Sequence, residues 1–127
     1  MQAPASFDYA TLRVVPRVER EEFLNAGILV FCLERGYLGA RILLNASRPK
    51  ALWPEADTEV VRTHLEAIER ICAGDPLAGT IAQLSQRERF HWLVSPRSTM
   101  IQTSPVHTGL CKETHGLLDH LEKQLFS

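Results

Sequence analysis

The most constraining stretch of the chain is Asn25–Leu33, in which Ile28, Leu29, Val30, Phe31, Cys32 and Leu33 are apolar without a break. Such a run suits a strand covered on both faces or part of a buried helix, and periodicity alone does not separate the two. The next residues decide it. Glu34–Arg35–Gly36 is a three-residue connection with glycine where a left-handed backbone is wanted. Tyr37–Leu44 then alternates, with Leu38, Ala40, Ile42 and Leu44 to one side. The pair reads as a hairpin, which makes Asn25–Leu33 a strand.

An earlier strand starts near Phe7, where Ala10, Leu12 and Val14 point one way and Tyr9, Thr11 and Arg13 the other. Residues 1–6 read as a flexible lead-in. Pro16 ends the strand or forces an edge position, and Arg17–Glu22 is a charged connection. After Asn45 the texture turns helical. Ser47 caps a short turn running through Trp53, and Asp57 caps a helix over about Thr58–Ala73 whose Val61, Leu65, Ile68, Ile71 and Cys72 recur at helical spacing. Gly74 closes that helix, and Asp75–Pro76 opens a short one running to about Leu84. Ser85 and Glu88 have capping-box spacing. A final amphipathic helix carries Leu117, Leu118, Leu121 and Leu125 on one side. This order predicts a single α+β domain over residues 1–127: two layers, with an antiparallel sheet of about five strands, a central helical segment and a C-terminal helix packed on the sheet.

At 127 residues, with 45% hydrophobic and 23% charged content, the chain has the makings of one real core. The longest apolar run, Gly27–Leu33, is too short to span a bilayer. The start, MQAPASFDY, lacks the features of a signal peptide, so a cytoplasmic protein is expected. Cys32, Cys72 and Cys111 are odd in number and set among apolar neighbours, which suits reduced thiols. A net charge of −1 supplies no global field for nucleic acid, so that partner is not expected. No cofactor or metal motif is present: His115 and His120 sit five apart on a helix without an accompanying ligand set, and there is no Gly-rich phosphate loop.

The chemistry concentrates in Glu88–Cys111, which mixes arginines, histidines and hydroxyls with apolar residues. His91–Val94 reads as a short strand, Ser95–Ser98 as a turn and Thr99–Thr103 as the returning strand, with Val106–Thr108 a loop or edge. On that reading Arg89, His91, Arg97, Ser98, Thr103, Ser104 and His107, together with Arg17, form a candidate ligand-binding set. Guanidinium forks and hydroxyls match phosphate or carboxylate oxygens. The competing reading has the arginines paired with Glu19, Glu22 or Glu88 as loop braces. The two differ in a checkable way, since a site awaiting an anion leaves its donors open. Cys111 near His107 is a nominal nucleophile and base, with a buried thiol as the simpler reading.

FDYATLRVVPRVEREEFLNAGILVFCLER, HLEAIERICAGDP and RFHWLVSPRSTMIQTSPVHTGL together resemble a family of small bacterial proteins, the domain of unknown function 3037. RFHW, SPRS and QTSPVHTG carry most of the specificity, and the likeness spans almost the whole chain. The resemblance implies a bacterial, cytoplasmic, single-domain protein and a neighbour or partner among kinase-like proteins of the toxin type. It assigns no catalytic residue.

Two functions stay open. The absence of catalytic motifs favours an interaction or regulatory module, as a homodimer or with a protein partner. The alternative is a small enzyme or ligand-binding domain for a phosphorylated or carboxylated compound, using the polar groups of Glu88–Cys111.

Overall fold

The computed structural model describes residues 3–15, 23–44, 58–95 and 100–126. In chain order these form β1 (Ala5–Val14), β2 (Leu24–Cys32), β3 (Tyr37–Ile42), α1 (Thr58–Ala73), a 3-10 turn (Ile81–Gln83), α2 (Gln86–Val94), β4 (Ile101–Thr103), β5 (His107–Cys111) and α3 (Leu117–Phe126). The expected turn after Ser47, the Asp57 cap and the Arg17–Glu22 connection lie outside the described residues.

The hairpin forms as its sequence requires. β2 and β3 pair antiparallel from Gly27 opposite Ile42 to Cys32 opposite Tyr37. Gly36 takes φ 60° in the turn, a conformation that a side chain penalises. β1 pairs with the other side of β2, with a bulge after Leu12. β1 begins at Ala5, ahead of the expected Phe7, because Ala5 has a partner in Cys111 of β5.

β4 and β5 lie end to end along the remaining side of β1, β4 on Leu12–Val14 and β5 on Ala5–Tyr9. From Thr103 opposite Leu12 to His107 opposite Tyr9, this edge takes four steps where β1 takes three. One residue is therefore extra, and Ser104 accommodates it. Its Oγ accepts from the Thr11 N–H at 2.9 Å and donates to the Pro105 carbonyl at 2.9 Å, while its own N–H donates to the Thr11 carbonyl. Ser104→Ala strips the Thr11 N–H of its partner, so equilibrium unfolding should show a loss of about 1–3 kcal/mol and Thr11 amide exchange should speed up. An unchanged Thr11 exchange rate would mean that the bulge is held by other contacts.

The unbroken apolar run of β2 is resolved by alternation. Leu29 and Phe31 join Leu12 and Val14 against α1 and α2, whereas Ile28, Val30 and Cys32 join Ala5 and Phe7 against Leu117 and Leu121 of α3. The five-stranded antiparallel sheet and the α+β class are as expected. Among the described residues the layers number three where two were predicted, because a strand apolar on both faces needs cover on both.

α1 buries Val61, Leu65, Ile71 and Cys72 on the first face, at the positions its periodicity gives. The segment after it departs from expectation. Asp75 accepts from the Leu77 N–H and from Arg70 Nε, both at 2.9 Å, and these contacts hold its carboxyl below the usual range. Gly79 at φ 96° then precludes a continuous helix, leaving only the 3-10 turn.

His91–Val94, expected as a strand, belongs to α2. Ser85 caps that helix, its Oγ accepting from the Glu88 N–H at 3.2 Å and donating to Glu88 Oε1 at 2.9 Å. Once started, the helix places Phe90 and Leu93 on one side, and the Phe90 ring stacks on Phe31 with centroids 5.3 Å apart. α3 is tied to the sheet by Arg41 of β3, which pairs with Asp119 and, at 3.2 Å, with Glu122. The guanidinium holds the Asp119 carboxyl below its ordinary range.

Candidate functional site

A concavity lies where α1, α2 and β4 meet at the sheet edge. It encloses about 560 Å³. Thr103 and Ile101 reach it from β4 because they pair with Leu12 and Val14, whose side chains belong to the α1 face of the sheet. From α1 it receives His64, Ala67, Ile68 and Ile71, a row at positions i, i+3, i+4 and i+7. α2 adds Trp92, Leu93 and Val94, and Met100 and Pro105 complete the rim with Ser95 and Ser104. Trp92 and Met100 are 37% and 36% exposed, large for groups of their size beside a core. A groove of this kind offers apolar contact with a few hydroxyls and one imidazole.

The structure distributes the sequence-predicted set over several places. Thr103 and Ser104 line the groove, though Ser104 already serves the edge-strand bulge. Arg89 lies beneath the C-terminal end of α1. Its Nη1 donates to the Ile71 and Cys72 carbonyls at 2.8 and 2.9 Å, and its Nε to the Leu84 carbonyl at 3.0 Å. Three carbonyls, two of them at a helix end with negative partial charge, thus occupy the guanidinium.

His91 is exposed on α2, its carbonyl accepting from Ser95 Oγ at 2.6 Å. His107 is exposed on β5, and its ring sits beside Tyr9 with centroids 5.4 Å apart. Tyr9 packs with the α3 side of the sheet, so the sheet separates His107 from the groove. Arg17, Arg97 and Ser98 lie outside the described residues.

His64, Ala67 and Trp92 were missed because the sequence reading assigns α1 a single apolar stripe and places Trp92 in a strand. The signal for the first two is a second row beside the Val61–Leu65–Ile68–Cys72 stripe, one residue round the helix.

Cys32 and Cys72 are buried and Cys111 is partly so. Burial pushes the Cys72 thiol up to about 12 and also raises Cys111. His107 is four residues from Cys111 along one extended strand, about 13 Å, too far for proton transfer. Among the described residues no three His, Cys, Asp or Glu side chains cluster as a metal site, and no helix is long and apolar enough to cross a membrane.

Fold and groove together define a small α+β domain, an antiparallel sheet clothed by helices on both faces with an apolar groove at one edge. The chain belongs to the family described as protein of unknown function DUF3037, which it matches over residues 9–126. No curated protein and no solved structure matches the chain.

Proposed function

We propose that this domain is an interaction module whose groove between α1, α2 and β4 receives an apolar segment of a protein partner. The observation that carries the reading is that Trp92 and Met100, each more than a third exposed, both line a mainly apolar concavity. Tryptophan and methionine are enriched in the buried centres of interfaces, and a few such anchors supply most of the binding energy. A kinase-like protein is the partner class that the family resemblance suggests.

A photo-reactive residue placed at Ala67, which is exposed on the groove side of α1, tests this in the native cell. The expected result is one defined protein adduct from position 67, none from Glu66, and loss of the adduct on Trp92→Ala. Affinity for that partner should fall by roughly 30-fold or more, corresponding to about 2 kcal/mol for a central aromatic anchor. Adducts that do not depend on position would overturn the reading.

A second reading rests on size. About 560 Å³ falls within the range of small-molecule sites, and the Ser95 and Thr103 hydroxyls line it, which suits a phosphorylated or carboxylated compound. Thermal-shift measurements against nucleotides and phosphometabolites distinguish the two, because a ligand specific to the folded state raises apparent stability.

A further inference from the structure

The arginines divide by how their donors are used. Arg35 donates to the Ala3 and Lys112 carbonyls, Arg41 to two carboxylates, Arg62 to Glu59, Arg70 to Asp75 and Arg89 to three carbonyls. Arg87 is exposed. Arg13 differs from all of these: among the described residues it is the partly buried arginine with neither a hydrogen bond nor an ion pair.

Its position is fixed nonetheless. Arg13 alternates with Leu12 and Val14 on β1, so it lies on the α3 side of the sheet, in register between Asn25 of β2 and Gln102 of β4. The guanidinium carbon sits 4.2 Å from the centroid of the Phe23 ring, which is itself 45% exposed. Cation–π contact of this kind holds the guanidinium plane without using any of its N–H groups. Nε is enclosed without a hydrogen-bond partner, while the side chain as a whole is only partly buried. The α3 carboxylates that share this side of the sheet, Asp119 and Glu122, are engaged by Arg41.

A buried N–H without an acceptor is costly and calls for a reason, and a positioned, open guanidinium fork is the geometry that oxyanions select. We infer that Arg13, laid across Phe23, is an oxyanion-binding subsite for the phosphate or carboxylate group of a small molecule. It is independent of the groove, which opens on the opposite face. Thr11 and then the Tyr9–His107 pair follow on the same face of β1, the pair about 13 Å up the strand.

The test is a titration of the whole 15N-labelled protein with inorganic phosphate and, separately, with acetate, reading the arginine Nε–Hε cross-peaks. Arg13→Gln assigns the Arg13 peak by its loss. The subsite predicts a saturable shift of that peak with at least one anion while Arg87 stays still, and the anion that saturates at lower concentration identifies the ligand group. Arg13→Lys keeps the charge and loses the fork, so binding followed at neighbouring backbone amides should weaken by roughly tenfold. Phe23→Leu, which removes the ring that orients the guanidinium, should weaken it as well. If neither anion moves the Arg13 peak saturably, or if Arg87 moves in parallel as a bulk salt effect, the inference is overturned, whatever the variants do.

Discussion

Arg89→Ala is expected to lower the stability of the domain by about 2–4 kcal/mol in denaturant unfolding, with the midpoint moving and the slope little changed. The lost side chain serves the Ile71, Cys72 and Leu84 carbonyls at once. Hydrogen bonds from a charged donor are about twice as strong as neutral ones, and removal strands acceptors at the end of α1 as well as at the turn beyond it. Arg89→Lys keeps the charge but presents a point instead of a fork, so less than half of the loss should return. A change below about 0.5 kcal/mol would put Arg89 back among the groups free to meet a ligand.

Phe90→Ala should cost more, about 3–5 kcal/mol, because the ring is 3% exposed and is stacked on Phe31 at the centre of the first core. The effect reaches function through geometry. Phe90 seats α2 on the sheet, and α2 supplies Trp92, Leu93 and Val94 to the groove, so the variant should lose partner adducts from position 67 while it is still folded at low temperature. Phe90→Leu retains most of the apolar area and should cost a fraction of that amount, with adducts preserved. Were Phe90→Ala to cost under about 1 kcal/mol, α2 would be a loosely attached segment and the groove a poor docking site.

Much of the fold was legible because it rests on signals that act locally. The Glu34–Arg35–Gly36 turn, the alternation of Tyr37–Leu44 and the stripe of α1 each state their structure within a dozen residues. The failure at His91–Val94 is instructive. Aromatic and aliphatic residues there favour a strand, yet Ser85 and Glu88 signal a helix start, and a cap that satisfies backbone donors outweighs a weak strand preference. The third layer was also signalled, by the unbroken apolar run of β2, but where its second cover comes from depends on which face α3 meets.

The site was less legible than the fold. Close spacing in sequence groups Arg89, Thr103, Ser104 and His107, whereas a helix, a bulged edge and the two faces of a sheet disperse them. Arg13 reads from sequence as the polar side of a strand. That its donors are left open, when those of Arg89 are filled, depends on long-range neighbours that no local pattern encodes.

The pinned edge strand also sets an order of assembly. Thr11 and Ser104 are 93 residues apart, and Asp8 and Thr108 are separated by 100. The hairpin of β2 and β3 and its pairing with β1 need only the first 42 residues, so that sheet can form early while the outer side of β1 waits for β4 and β5. Closing so long a loop is entropically slow, and the slowest folding step should therefore be the docking of β4 and β5. Until then the nascent chain displays the unpaired outer edge of β1 and an apolar sheet face lacking α3, the kind of surface that chaperones recognise. Ribosome-stalled chains ending before residue 101 should accordingly bind chaperone, and those exposing residue 126 should release it.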